Sequence, residues 1–298
     1  MRGWWQDLTD LVLPAECGGC GTPRTVLCAE CRAALSGAVP RRVRPVPEPP
    51  GLPALYAAAP YADEVRAALL AHKERGALAL AGPLGTALAG AVRAGLREGR
   101  TVRVVASCGD MAGDARAPGP VLLVPVPSAP WAVRARGHDP VRRIALAAAA
   151  ELRRAGAPAR VAPVLRQRRA VADQSGLNSR QRLANLAGAL EVTAGGARML
   201  AGGRVVLVDD LVTTGATLTE AARAVREAMG PGGTGEATTA VYRRAAWEGR
   251  EERTAGAREA RAKWTRDAPG KAEANALVWP IRAAVIAAAP DSFEMNRN

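Results

Sequence analysis

The stretch Val205-Val206-Leu207-Val208-Asp209-Asp210-Leu211-Val212-Thr213-Thr214-Gly215-Ala216-Thr217-Leu218 decides how the rest of the chain is read. Its first four residues are aliphatic and unbroken, the pattern of a strand buried on both faces. Asp209 and Asp210 mark the carboxyl end of that strand, 213–217 forms a turn, and 218–229 has the alanine-rich composition of a helix. Strand, acid pair, hydroxyl-and-glycine loop and helix, in that order, suit a phosphorylated sugar. Gly215 lets the backbone approach an anion. The hydroxyls of Thr213, Thr214 and Thr217, with the amides around Ala216, would bond phosphate oxygens, assisted by the helix dipole. Asp209 and Asp210, just past Val208, stand where ribose hydroxyls or a magnesium ion need oxygen acceptors. The plainer alternative is a parallel strand with an acidic turn and a threonine cap. Each of those parts is common alone, but the ordered set is not.

The segment resembles the phosphoribosyl-diphosphate (PRPP) binding motif of type I phosphoribosyltransferases, an aliphatic strand and two acids followed by T-T-G-x-T. It matches neither G-x-x-x-x-G-K-[ST] nor G-x-G-x-x-G, the other widespread phosphate loops.

A chain of 298 residues can bury a sizeable core in one or two domains. Its net charge of +13 and pI near 10.7 point to anionic partners or simply to solubility. Only Lys73, Lys263 and Lys271 are lysines, so the charge is almost all arginine, a bias that a GC-rich coding sequence produces throughout. Position therefore matters more than the total. Residues 131–182 hold twelve arginines against Asp139, Glu151 and Asp173, a surplus of nine positive charges just ahead of the phosphate loop. A pyrophosphate-bearing substrate would want them there. For Arg142, Arg143, Arg153 and Arg154 a solvated helix face is the simpler reading.

Four of the five cysteines form two C-x2-C hooks, Cys17/Cys20 and Cys28/Cys31. This spacing fits a closed, structural four-cysteine zinc site, with Gly18, Gly19 and Gly21 permitting tight turns. Disulfides are the alternative, but no export signal accompanies them. Residues 1–14 lack an apolar signal core, because Gln6, Asp7, Thr9 and Asp10 interrupt it. Trp4, Leu8, Leu11 and Val12 share one helical face instead. The apolar run 277–289 is broken by Pro280 and Arg282 and is too short to span a bilayer. The expectation is a cytoplasmic protein without membrane insertion. Cys108 stands alone and reads as incidental.

Four segments are expected: a helix and zinc module over 1–38, a proline-rich linker over 39–53, an α/β domain over 54–244, and a charged, alanine-rich extension of low order over 245–298. Within the domain, 55–61 reads as strand or turn, 62–72 and 77–96 as helices, 101–106 as a strand and 109–120 as an inserted loop. The run Val121-Leu122-Leu123-Val124-Pro125-Val126-Pro127-Ser128 reads as a buried strand that breaks sharply at its carboxyl end. In an open α/β sheet, ligands sit beyond the carboxyl ends of strands. The Pro-Val-Pro turn and the threonine loop can thus face one crevice, with Arg134 and Arg136 following. Residues 139–155 read as a helix and 161–165 as a short strand. Residues 166–185 suit a mobile lid carrying Arg169, Gln174, Arg182 and Asn185, with a short helix over 178–186. Residues 236–242 read as the last strand, and the tail to 298 offers no motif.

In this order, the four cysteines, 56–73, the Pro-Val-Pro turn, Arg134-Ala135-Arg136-Gly137, the Gln174/Arg182/Asn185 segment and the acid–threonine motif resemble the ComF family (ComFC/GntX-like) over about 8–242. The resemblance implies a zinc finger ahead of a type I phosphoribosyltransferase-like parallel sheet with flanking helices. It implies PRPP, or a related phosphoribosyl metabolite, bound with magnesium. The implied role of Asp209 and Asp210 is at the ribose, that of Val208 and 213–217 at the 5′-phosphate. Pro125, Val126, Pro127, Arg134 and Arg136 fall to the pyrophosphate. It further implies transfer to an unidentified base, a link to DNA uptake in competent bacteria, and competence-machinery proteins as partners. Where the family usually reads Phe-Asn after Arg-Gly, this chain has His138-Asp139. The alternative is a non-catalytic accessory protein that contacts single- or double-stranded DNA through the zinc module and the arginine-rich surface. An aromatic content of 3% argues against a stacking platform for single strands.

Overall fold

The structure, a computed structural model, describes residues 16–106, 119–169, 171, 178–230 and 280–296. The strands are β1 (Arg41–Val43), β2 (Ala54–Pro60), β3 (Val121–Pro125), β4 (Ala159–Val161), β5 (Leu165–Gln167), β6 (Leu190–Val192), β7 (Arg204–Val212) and β8 (Arg282–Ala288). The helices are α1 (Ala29–Ser36), α2 (Asp63–Glu74), α3 (Ala81–Ala106), α4 (Pro130–Arg136), α5 (Pro140–Arg154), α6 (Ser179–Leu186), α7 (Gly196–Leu200) and α8 (Ala216–Met229). Six strands form one sheet in the order β1-β2-β8-β7-β3-β4, while β5 and β6 pair apart as an antiparallel ribbon. Only the β1–β2 edge of the large sheet is antiparallel. The fold is therefore α/β with a mostly parallel sheet.

A sheet covered on both faces needs apolar residues at successive positions, and β3 and β7 supply them. Val206 and Val208 of β7 face one core together with α2, α3 and α5. Val205 and Leu207 face the other, with Leu218, Ala222 and Val225 of α8. Asp139 caps α5 by accepting the Arg142 amide at 3.1 Å, and Pro140 occupies the first helical turn, where its missing N–H costs nothing.

Several expectations are corrected. The tail is not an appendage of low order throughout, because β8 lies in the middle of the sheet, parallel to β2 and β7. Its sequence Arg-Ala-Ala-Val-Ile-Ala-Ala is alanine-rich because both faces lie under helices, and Ala283 through Ala288 are all buried. The supposed linker is folded too: β1 extends the sheet, and Val43 is buried at its edge. Residues 101–106 continue α3 and are not a strand. The single strand expected over 161–165 is split, its ends belonging to β4 and β5. The amino-terminal helix, most of the 109–120 insertion and the strand expected over 236–242 fall outside the described residues. Among the described residues one helical stretch, Leu78–Glu98, is long and apolar enough to cross a membrane, and half of it is buried inside the protein.

Candidate functional site

Sequence positions far apart meet at the carboxyl ends of β3 and β7. Chain direction sets this up: β3 leads outward to β4, whereas β7 is followed by its other neighbour, β8. The crevice between β3 and β7 is thus the point where strand order reverses. Pro125 pairs with Val208, and the Val126 amide donates to the Val208 carbonyl at 2.9 Å, so the Pro-Val-Pro turn lies alongside the acid pair. Asp209, Thr213, Thr214, Gly215, Ala216 and Thr217 line one opening of about 280 Å³, a volume that includes solvent at its mouth. Gly215 has φ +74°, and a Cβ there would stand 3.2 Å from Leu52 and 3.3 Å from Pro45. The 39–53 segment is therefore a wall of the loop, which composition alone concealed.

The two acids differ. Asp209 is half-buried and its Oδ1 accepts the Asp210 amide at 2.8 Å. Desolvation, then the neighbouring Asp210 carboxylate, pushes Asp209 well above the ordinary carboxylate range, with Lys73 pulling the other way. Asp210 is 7% exposed and receives Lys73 Nζ at 2.8 Å. Burial alone would lower the Lys73 ammonium, but Asp210 overcomes it and holds that group above its usual value. Lys73 had no site role in the sequence reading. Its placement beside an acid 137 residues away follows from α2 and β7 contributing to one core.

The next residue, Glu74, accepts Arg136 Nη1 at 3.1 Å. The Nε of Arg136 is buried without a hydrogen-bond partner. Arg134 is exposed on the same helix, α4, with Pro127 half-buried before it. His72 and His138, the protein's two histidines, meet edge to face with ring centroids 5.8 Å apart. Burial keeps His72 below the ordinary imidazole value. His138 therefore packs against a ring where the family resemblance would put a phenylalanine.

Of the four lid residues, Arg182 reaches the loop: its Nη1 donates to Thr213 Oγ1 at 3.4 Å, while its Nε is buried and unpartnered. Arg169 donates to the Asn185 and Ala187 carbonyls at 2.8 and 3.0 Å, tying down the carboxyl end of α6, which carries Asn185. Gln174 lies outside the described residues. Helix α6 opens with a capping box, in which Asn178 and Gln181 each accept the other's amide at 2.9 Å. Buried Glu220 of α8 accepts the Leu190 amide at 3.0 Å, and Arg223 donates to the Leu190 carbonyl at 2.8 Å. These bonds fasten the β5–β6 ribbon to the helix that follows the threonine loop.

Cys17, Cys20, Cys28 and Cys31 are positioned to hold a metal ion, with their sulfurs all within 4.8 Å of one another and none in a disulfide. Cys28 caps α1, accepting the Cys31 amide at 3.4 Å, and its own amide donates to Cys17 Sγ at 3.3 Å. Burial opposes ionisation of Cys17, but the amides of Cys20, Cys28 and Gly19 outweigh it and bring the thiol down to about 6. The Thr22 side chain and amide lower Cys20 likewise. Burial raises Cys31, with the other sulfurs adding to the effect. A Cβ on Gly19 would come within 2.6 Å of Cys31 Sγ, so glycine is required there for the hook to close. Cys17, Leu27, Cys31 and Leu35 share a core with α2, α3 and α5. The module is therefore packed into the protein and is not tethered to it.

No protein-family model matches the chain, and a search of curated proteins finds no match.

Proposed function

We propose that this crevice binds PRPP with magnesium, and that the protein is a cytoplasmic phosphoribosyltransferase of the ComF type with a structural zinc site. The reading is supported by one observation above all: Asp209 and 213–217 line a single opening, with the Pro-Val-Pro turn set beside them by the β3–β7 register. Amides and hydroxyls of 213–217 hold the 5′-phosphate, and the acids receive the ribose hydroxyls. Arg136 and Arg134 face the pyrophosphate, and Arg182 closes over the threonine loop. The transfer replaces the bond from ribose C1 to the pyrophosphate oxygen with one to a ring nitrogen of the acceptor base. Pyrophosphate leaves with the bonding electrons, and the base nitrogen gives up its proton. The chain's part is to orient the sugar, exclude water and compensate the charge that grows on the leaving group.

A divalent magnesium ion takes oxygen ligands and commonly shares one or two carboxylates with substrate phosphates. Asp209 and Asp210 fit that role only in part, since Asp210 is already paired with Lys73. The donor set thus suits an ion that arrives with phosphate oxygens, where it would neutralise the leaving pyrophosphate. At the four-cysteine centre the fit is direct. Zinc–thiolate bonds of about 2.3 Å put tetrahedral sulfurs under 4 Å apart, within the spread seen here.

Titration calorimetry of PRPP with magnesium tests the reading, beside the Asp209→Asn, Asp210→Asn double variant. Binding by the parent and none by the variant is expected; equal affinity removes the assignment. Pyrophosphate release across a panel of bases then identifies the acceptor. PRPP binding without release from any base moves the weight to an accessory role in DNA uptake. That second reading rests on the zinc module and the arginine-rich surface of 131–182, where Arg134, Arg142 and Arg143 are exposed. It requires DNA affinity that falls with salt, with a shallower slope after Arg→Ala changes at those positions.

A further inference from the structure

We propose that Lys73 and Glu74, the last two residues of α2, are an internal stand-in for the metal–diphosphate ligand and compete with it for the site. The identity of the displacing ligand rests on the PRPP reading above; the competition itself rests on geometry. Lys73 places its ammonium 2.8 Å from Asp210, the cation occupying an acid that a magnesium ion would share. Glu74 places its carboxylate 3.1 Å from Arg136, the anion occupying a base that a diphosphate would use. Adjacent residues thus carry opposite charges to an acid at the end of β7 and to an arginine at the end of α4. A surface helix end ordinarily has no reason to satisfy two distant groups of opposite sign at once. Arg136 also keeps one guanidinium N–H buried and unpartnered, although Glu74 is within reach of the other end. An unpaired buried donor is costly, and an oxyanion arriving at Arg136 would relieve it.

The consequence is an order of binding. With Lys73 on Asp210, a free divalent cation meets an acid pair whose charge is already half compensated. The anion must come first, or come already complexed, so that Lys73 exchanges the carboxylate for phosphate oxygens. Glu74 is then expelled from Arg136 by like charge. The two residues should therefore act with opposite signs: Lys73 shields the acids from metal alone yet assists the anionic ligand, whereas Glu74 opposes the anion.

Calorimetry with three probes, Mg²⁺ alone, inorganic pyrophosphate, and PRPP with Mg²⁺, tests this on the parent, Lys73→Met and Glu74→Gln. Lys73→Met should bind Mg²⁺ alone about tenfold tighter than the parent and PRPP about tenfold weaker, the worth of a charge-assisted hydrogen bond. Glu74→Gln should bind pyrophosphate about two- to fivefold tighter, as loss of a partly exposed competing ion pair allows. Unchanged Mg²⁺ affinity in a folded Lys73→Met overturns the proposal, as does unchanged or weaker pyrophosphate binding by Glu74→Gln. Glu74 is 52% exposed, so its variant carries the test even if Lys73→Met does not fold. A parent that takes up pyrophosphate and shows the Glu74→Gln gain, but never binds PRPP, would uphold the competition and sink the PRPP assignment. PRPP binding by the parent with neither variant effect would do the reverse. No binding of either anion by the parent overturns both.

Discussion

Asp209 carries a cost that the folded protein bears for the sake of the crevice. Desolvation and Asp210 raise its carboxyl, so the folded state keeps a proton over a range in which the unfolded chain has lost it. Stability then falls as pH rises from the ordinary carboxylate range to the raised value, and above that value the ionised group is a standing penalty. Asp209→Asn retains an Oδ1 to accept the Asp210 amide. It should be more stable than the parent at about pH 8, and the difference should shrink toward about pH 4, where the parent is protonated. Thermal unfolding across that range is the measurement; a gap independent of pH would show that the penalty lies elsewhere. Gly215 shows a second side of the same scale. Its glycine was legible as a point of close backbone approach, and the structure adds its positive φ and the Leu52 and Pro45 walls.

Among the elements, α8 does two jobs at once. Its amino end faces the threonine loop, and its buried Glu220 and half-buried Arg223 hold β6 by both backbone groups of Leu190. The salt bridge between them, 2.7 Å long, joins side chains that are 4% and 18% exposed. Glu220→Ala strands the Leu190 amide and removes the buried partner of Arg223, which keeps Glu227 and the Leu190 carbonyl, so it should cost about 2 kcal/mol, the scale for leaving a buried donor unsatisfied. Denaturant unfolding reads this directly, and a loss under about 1 kcal/mol would mean that water replaces the carboxylate freely. Glu220→Gln, able to accept the amide, should recover part of the loss. Because α6, which carries Arg182, leads directly into β6, the alanine variant should, if the crevice binds PRPP as proposed, also weaken that binding more than its fold loss explains.

At the scale of the whole molecule, the four-cysteine cluster and the sheet share one core. Cys17 and Cys31 lie in the same core as α2, α3 and α5, and Leu27 and Leu35 beside them are fully enclosed. With zinc bound there as proposed, its removal by a strong chelator should lower the midpoint of a single unfolding transition, since metal binding is folding free energy for such a site. Calorimetry that instead shows two separate transitions, with the second unmoved by chelation, would reveal an independent module.

How much of this was readable in the chain varies with the range of the interactions involved. The β7–loop–α8 unit was legible because its logic is local: an aliphatic run, an acid pair, threonines about a glycine and an alanine-rich helix stand consecutively. The cysteine hooks were legible for the same reason, since chelate spacing is a property of a few neighbouring residues. Strand β8 was partly legible in hindsight, as seven apolar-leaning residues bracketed by Pro280 and Pro290, yet its alanines mimic a helix and only burial on both faces explains them. The sequence by itself determined which side chains gather at the threonine loop and that four cysteines share one centre. Tertiary structure alone decided that the tail supplies a central strand, that the proline-rich segment walls the loop, and that Lys73 and Glu74 meet Asp210 and Arg136. Those contacts join residues whose separation along the chain carries no signal, and packing of helices against a shared sheet is what brings their charges within reach.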